Sequence, residues 1–329
     1  MSDVHSFVFE GLPVRGILVR VTDAWQEILR RRASNSEHGP YPAPVAQMLG
    51  EMVAAGALMQ ANIKFDGALT LQIMGDGPVK LAVVEVQSDL AIRATATVMA
   101  EVAPDAQLDA MVNAHNQGRC AITLDPQTKF PGQQPYQGVV PLFDDARRPM
   151  RRISEVLEHY MLQSEQLDTT LVLAANETLA AGLLIQRLPV QGTANLAGSL
   201  VSRENEDEIG LNEHYQRIAI LASSLKQDEL LSLDAPTILR RLFWEENLIL
   251  FEPAPQARQP HFACRCSRER VGRMIQGLGQ EEAQSILAER DRIEVACEFC
   301  GMQYPFDAID TAQLFVPSTQ SGSGSQVAH

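Results

Sequence analysis

Four cysteines near the end of the chain constrain its fold more than any other feature. The sequence has five cysteines, and four of them lie in "CRC" and "CEFC", at Cys264, Cys266, Cys297 and Cys300. Four thiolates spaced as C-x-C and C-x-x-C suit a tetrahedral zinc ion. Between the two pairs "GQEEAQSILAER" predicts a short helix, and "RIEVA" and "MQYPF" predict strands of a hairpin around the second pair. The pattern therefore predicts a small zinc-binding unit, in which Gly301 supplies the unusual backbone conformation after the last cysteine.

The surroundings of the first pair leave three kinds of chemistry open: structural zinc, redox-active zinc and dithiol catalysis. Cys264 and Cys266 could also join in a small strained ring, and strain makes a disulfide easier to reduce. Positive charge nearby favours the thiolate, which binds metal and reacts with oxidants. The arginines could instead only offset the charge of a four-cysteine zinc centre and bind solvent. They are Arg258, Arg265, Arg268, Arg270 and Arg273.

Two other residues could bind metal or react as a thiol, and we expect neither to do so. His261 lies three residues before Cys264 and could serve as a ligand, but four thiolates already complete a zinc site. Cys120 lies in the strand-like "RCAITLD" and is expected to be a buried, inert thiol.

Composition excludes several classes of protein. The 329 residues fit two domains or three. A net charge of −14 argues against a general nucleic-acid binder and against attachment to anionic lipid. No apolar run is long enough to span a membrane, and the first residues do not resemble a signal peptide. We therefore expect the reducing cytoplasm, where clustered cysteines favour metal or redox chemistry over permanent disulfides.

Residues 1–188 predict an α+β domain built on antiparallel strands, with packed helices. The clearest signal is "ALTLQIMGDGPVKLAVVEV", in which apolar residues alternate on both sides of a Gly-Asp-Gly-Pro turn, so we expect a β-hairpin. The segment "VAQMLGEMVAAGALM" has helical spacing, and its Met48 and Met52 are expected in the core rather than on a sticky surface.

Residues 189–256 predict a mostly helical linker. The stretch 203–234 has a net charge of −5, yet it contains an amphipathic helix pattern with Ile218, Leu221, Leu225 and Leu230 near one face. Such a segment depends on docking for its order. It is either an ordinary connecting helix or a metastable segment whose apolar face can be released, and the residues alone favour the ordinary helix.

The motifs resemble those of the redox-regulated 33-kilodalton heat-shock chaperone family. The resemblance extends from about Phe9 to about Leu314. A C-x-C followed at this distance by a C-x-x-C, behind a β-rich domain, is a specific pattern. The matching segments are "PVRG" (13–16), "KFDGALTLQIMGDGP" (64–78), "YQGVV" (136–140), "SEQL" (164–167), "RLFWEE" (241–246), "CRCSRER" (264–270), "SILAE" (285–289) and "CEFCG" (297–301).

The resemblance implies a mechanism. In the reduced state one zinc ion per chain is bound by the four cysteines, and the protein is inactive or weakly active. Oxidation forms the disulfides Cys264–Cys266 and Cys297–Cys300 and releases zinc. The zinc-binding domain (257–315) then unfolds, and the linker loses its support. The oxidised protein, often a homodimer, holds unfolding client proteins without ATP and passes them to foldase chaperones.

This mechanism reverses the preference for an ordinary linker helix. The apolar side chains of the linker, Ile218, Leu221, Leu225 and Leu230, become the expected client-binding residues. Residues 316–329 are Gly/Ser-rich, and we expect a disordered tail.

Two alternatives differ in kind from this chaperone hypothesis. A binding or assembly protein with a purely structural four-cysteine zinc ribbon would hold its zinc against mild oxidant. A disulfide oxidoreductase would turn over a small disulfide substrate, but no thioredoxin-like βαβ pattern surrounds the C-x-x-C. We therefore expect no enzymatic activity.

Overall fold

The computed structural model describes residues 2–35, 38–130, 132–188, 201–251 and 259–316, and for 201–211 only the backbone. The chain forms two compact units, Met1–Ala263 and Cys264–His329. The predicted start of the linker at 189–200, the predicted domain boundary near 256 and the tail beyond residue 316 lie outside the described residues. The described part of the linker belongs to the first unit. The predicted domain limits themselves stay predictions.

The first unit is built around a central helix, α2 (Ala43–Asn62), which lies between two β-sheets and is buried along most of its length. Its sequence is apolar on every face because every face meets protein. Met48 and Met52 are buried there, which confirms the prediction that they belong to the core.

Two glycines let α2 approach both sheets closely. A Cβ built on Gly50 would lie 2.4 Å from Ala175 Cβ in one sheet. A Cβ built on Gly56 would lie 3.0 Å from Val86 Cγ2 in the other. Larger side chains at either position would force the helix away from a sheet.

One sheet has five antiparallel strands. In spatial order they are β10 (Leu248–Leu250), β1 (Asp3–Phe9), β2 (Val14–Val21), β9 (Ala180–Arg187) and β8 (Thr169–Ala175).

The other sheet has six strands and contains the predicted hairpin, which is confirmed with its turn at residues 75–78. All neighbours are antiparallel except the first pair, which is parallel. In spatial order the strands are β11 (His261–Phe262), β5 (Ala91–Val98), β4 (Val79–Gln87), β3 (Gly67–Met74), β6 (Arg119–Pro126) and β7 (Tyr136–Pro141).

Three further helices complete the core around these layers: α1 (Asp23–Ala33), α3 (Leu108–Val112) and α4 (Ile153–Glu165). The α+β class with an antiparallel β-rich N-terminal region is confirmed. No helix in the described part of the chain is long and apolar enough to cross a membrane.

The linker departs from its prediction in one respect. The expectation of one helix carrying all four apolar residues is wrong, because α5 (Val201–Ser223) ends before Leu225 and Leu230 lies in a second helix, α6 (Gln227–Ser232). The hydroxyl of Ser224 donates to the carbonyl oxygen three residues earlier, at 2.6 Å. Such a bond competes with the helical ladder, which the periodicity of apolar residues does not reveal.

Despite the break, the two helices and the following α7 (Ala235–Leu242) cover the outer face of the five-stranded sheet. Their buried side chains form one cluster with apolar residues of that sheet. The members from the sheet include Phe7, Phe9, Leu18, Leu183 and Ile185; those from the helices include Tyr215, Ile218, Ala222, Leu225, Leu230, Ile238 and Leu239.

The second unit is small. It consists of α8 (Arg268–Leu278), α9 (Gln280–Glu289), the hairpin β12 (Ile293–Ala296) and β13 (Gln303–Phe306), and α10 (Ala308–Leu314). The helix between the cysteine pairs and the hairpin are confirmed, whereas α8 was not predicted. Among its described residues the buried apolar cluster comprises Ile275, Ala283, Ile293 and Phe306. Seven partly buried apolar residues pack against it: Val271, Ile286, Leu287, Val295, Tyr304, Leu314 and Phe315.

Candidate metal centre

The four predicted cysteines come from two separate local structures. Cys264 and Cys266 precede α8, whose first turn is capped by the Ser267 hydroxyl accepting the Arg270 N–H at 3.3 Å. Cys297 and Cys300 occupy the turn between β12 and β13.

That turn is shaped by backbone hydrogen bonds. The Gly301 N–H donates to Cys297 O at 2.8 Å, and the Cys297 N–H donates to Met302 O at 2.9 Å. Gly301 has φ of +71°, a left-handed conformation that costs other residues strain. The predicted reason for a glycine after the last cysteine is therefore confirmed.

The sulfurs of both pairs converge on one point. All four Sγ atoms lie within 4.8 Å of one another. The Cys264–Cys297 separation is 3.7 Å and the Cys266–Cys300 separation is 3.3 Å. A tetrahedral ion with metal–sulfur bonds of about 2.3 Å places its ligands about 3.8 Å apart. Four thiol sulfurs at these separations fit a metal ion, and the soft donor set suits zinc.

The thiols are not equivalent. Burial raises the pKa of Cys266, but a hydrogen bond from the Tyr304 hydroxyl at 3.1 Å and bonds from the neighbouring thiols outweigh it and lower that pKa to about 7. Burial raises the pKa of Cys300, and it also raises the pKa of Cys297. Of these three thiols Cys266 therefore ionises most readily, and the thiolate is the form that binds metal or attacks an oxidant.

Tyr304 was missed by the sequence analysis. Its bond to Cys266 raises the pKa of the Tyr304 phenol to about 12, so it stays a donor at neutral pH. The only available signal was its place in the strand that leaves the cysteine turn.

The arginines have structural partners. The Arg268 guanidinium donates to Pro305 O and to Asp310 Oδ2, each at 2.6 Å, and lies 4.2 Å from the centre of the Phe306 ring. Arg270 donates to the backbone carbonyl of Arg265 at 2.9 Å. These contacts hold the loop, α8 and the hairpin together.

Two of the remaining predicted arginines have no such contact to describe. Arg273 is exposed, and Arg258 lies outside the described residues.

The two residues expected to be bystanders belong to the first unit and are not members of the cluster. His261 belongs to β11, and its ring Nδ1 lies 3.0 Å from Gln259 O. Cys120 lies in β6, 1% exposed, and burial raises its pKa to about 12. The prediction of a buried thiol at Cys120 is confirmed.

The predicted client-binding residues belong to the first unit and not to the unit of the cysteines. Ile218, Leu225 and Leu230 are buried against the five-stranded sheet, and Leu221 is partly buried beside them. Of the four, Leu221 alone keeps part of its apolar surface exposed.

Comparison with known proteins agrees with this architecture. Residues 2–307 match the family model described as "Hsp33 protein". A protein named 33 kDa chaperonin from Chromobacterium violaceum is 42% identical over 312 residues, which cover 95% of this chain and 93% of that protein. The 33 kDa chaperonin of Methylobacillus flagellatus is 41% identical over 313 residues, which cover 95% of this chain and 94% of that protein.

A solved structure shows the same fold. The crystal structure of a 33 kDa chaperonin from Thermotoga maritima superposes with a TM-score of 0.68 at 20% identity, over 94% of this chain and 97% of that one.

Proposed function

We propose a function from one premise: the chain belongs to the Hsp33 protein family, whose members are named as chaperonins and not as enzymes. We infer that it is a redox-regulated, ATP-independent holdase. Its reduced form would hold one Zn²⁺ through Cys264, Cys266, Cys297 and Cys300. Oxidation of these thiols would activate it to protect unfolding proteins from aggregation under oxidative stress.

The observation that carries this proposal is a four-thiol cluster in a unit with very little core. Four buried apolar side chains and seven partly buried ones are a small core for some 50 ordered residues, and a unit of this size usually depends on a metal or a cross-link. Zinc supplies this support when it is bound, worth on the order of 10 kcal/mol. Chemistry that removes the ligands therefore removes the fold.

The switch is a two-electron oxidation of each cysteine pair. As zinc ligands, Cys264 and Cys266 would be thiolates. They lose two electrons and form one S–S bond, while a peroxide accepts these electrons together with two protons from solvent and becomes two waters. Cys297 and Cys300 consume a second peroxide in the same way. Disulfide sulfurs are poor ligands, so the oxidised cysteines would no longer hold a metal.

The linker converts this loss of fold into a binding surface. When α5 and α6 leave the five-stranded sheet, Ile218, Leu221, Leu225 and Leu230 become exposed. The sheet face that they cover, with Phe7 and its neighbours, becomes exposed as well. Contiguous apolar surface of this kind binds the apolar segments of unfolding proteins. The acidic charge of the linker keeps the opened form in solution.

The proposed partners follow from this role. Clients are unfolding proteins with exposed apolar segments, and the oxidised form acts as a homodimer that later releases them to foldase chaperones. The proposed compartment is the reducing cytoplasm, since a switch that responds to oxidant needs a reduced resting state.

The experiment compares zinc content, free-thiol count and suppression of client aggregation before and after peroxide at raised temperature. We expect zinc release, loss of four thiols and a gain in suppression to occur together. One variant replaces all four cysteines of the cluster by serine and should lose the response to peroxide. The matched control replaces Cys120 alone by serine and should respond like wild type. Zinc that resists peroxide, with no new binding of the apolar dye bis-ANS, would instead support the structural zinc ribbon.

A further inference from the structure

The six-stranded sheet has an edge that is covered by two short pieces of chain. On the side of β5 away from β4, the carbonyls of Leu90 and Ile92 accept the N–H groups of His261 and Ala263 at 3.1 and 3.2 Å. Further along, the Ala96 N–H donates to the Tyr41 hydroxyl at 2.9 Å. Exposed strand edges pair readily with other extended chains, so a covered edge is a protected one.

Both covers are held by neighbouring arginines of α1. Arg31 Cζ lies 4.6 Å from the centre of the Phe262 ring, and Arg32 Cζ lies 4.4 Å from the centre of the Tyr41 ring. Phe262 is also partly buried against the main core. The two covers thus have the same design, an aromatic ring beneath a guanidinium.

The first cover is joined directly to the candidate metal centre. Ala263, whose N–H binds β5, is followed by Cys264, where the second compact unit begins. The Tyr41 cover belongs to the first unit throughout. Only the β11 cover is therefore tethered to the unit whose folding the thiols control.

We propose that β5 is a client-binding edge that β11 covers in the resting protein. This rests on the proposed function. When the second unit unfolds, β11 loses its anchor at Cys264 and leaves, and an extended apolar segment of an unfolding client takes its place. Strand addition would then provide main-chain hydrogen bonds, and the seat of Phe262 would take an apolar or aromatic side chain of the client.

The sequence and geometry of β11, which occupies the edge in the resting protein, indicate what kind of client segment would replace it. β11 is itself an extended aromatic segment that runs parallel to β5, with Phe262 opposite Ile92. A two-residue strand makes few bonds, so a longer client segment that extends from Ile92 toward the Tyr41 cover at Ala96 competes well with it. The edge accepts any extended backbone, which suits a chaperone that binds many sequences.

The first test loosens the cover without touching a thiol. Arg31→Ala should raise the hydrogen-exchange rates of the His261 and Ala263 amides about two- to fivefold in the reduced, zinc-bound chain, the effect of one lost cation–π contact. Client aggregation should be suppressed more strongly by this reduced variant than by reduced wild type.

The matched control is Arg30→Ala. Arg30 and Arg31 both donate to the carboxylate of Glu27, at 2.7 and 2.6 Å, but Arg31 is the one stacked on Phe262. Equal exchange rates in the two variants would overturn the proposed role of the cation–π contact.

The second test locates the client. A photoreactive benzoylphenylalanine replaces Thr97 on β5 or, as a control, Tyr136 on β7, the opposite edge of the same sheet. The oxidised chain should cross-link an unfolding client through position 97 and the reduced chain should not, while position 136 should give little product in either state.

The outcomes separate this inference from the proposed function. If oxidised wild type suppresses aggregation while position 97 gives no more product than position 136, the β5 edge is not the binding site and the holdase stands. If oxidised wild type does not suppress aggregation, the proposed function and this inference both fail.

Discussion

Releasing the linker by mutation should activate the protein without oxidant. Ile218 in α5 is fully buried against the five-stranded sheet, at 0% exposure. Ile218→Ala removes three carbon atoms from this contact, and such truncations of buried residues cost about 2–5 kcal/mol. If that cost falls on docking, the undocked population rises about 30- to 4,000-fold.

A neighbour in the same helix provides a matched control. Ile220 is 71% exposed, so Ile220→Ala makes the same chemical change and the same small gain in helix propensity without loss of packing. Any difference between the two variants therefore reports on docking.

The assay measures suppression of client aggregation and bis-ANS binding by each reduced, zinc-bound variant, with zinc content checked in the same samples. Ile218→Ala should hold clients while it retains its zinc, and Ile220→Ala should behave like wild type. The reasoning is refuted if hydrogen exchange shows α5 undocked in Ile218→Ala and the variant still gains no holdase activity.

Three further predictions concern the metal centre and the core. Burial raises the pKa of Glu51 to about 7 in the folded chain. The unfolded chain has a lower Glu51 pKa, so the folded state loses stability as the pH rises from that lower pKa through 7. Glu51→Gln should therefore be about 3 kcal/mol more stable than wild type in urea at pH 8 and much closer to it at pH 5; an equal difference at both values would contradict this. Gly301→Ala should strain the cysteine turn by about 1–2 kcal/mol and weaken zinc affinity about five- to thirtyfold in a chelator competition. Gly277→Ala, at an α8 position with no neighbour within 4 Å of the added Cβ, should not weaken it. Cys120 should react with a thiol reagent only after denaturation, and labelling of the native chain at that position would contradict its burial.

Features encoded by residues close in sequence were predictable. The 67–87 hairpin follows from alternation around a Gly-Asp-Gly-Pro turn, and the burial of α2 follows from its apolar residues. The cysteine spacing was enough to predict a cluster of four thiols that could hold a metal ion, because Cys297 and Cys300 share one local turn and Cys264 and Cys266 lie together directly before α8.

Features that depend on distant partners were not predictable. The pairing of β11 with β5 joins residues far apart in sequence, and nothing in "HF" specifies a parallel partner. The break between α5 and α6 depends on a serine hydroxyl bonding the backbone, which an apolar periodicity does not contain. The role of Tyr304 depends on strand geometry that brings its hydroxyl to Cys266.

The central claim is that oxidation of the four thiols undocks the linker from the first unit. Hydrogen exchange of the α5 and α6 amides, measured on the full chain before and after peroxide with zinc release followed in the same samples, tests it most directly. The account predicts that protection of these amides is lost as zinc is released, while α2 stays protected between its two sheets. Complete zinc release with α5 and α6 as protected as before would contradict it.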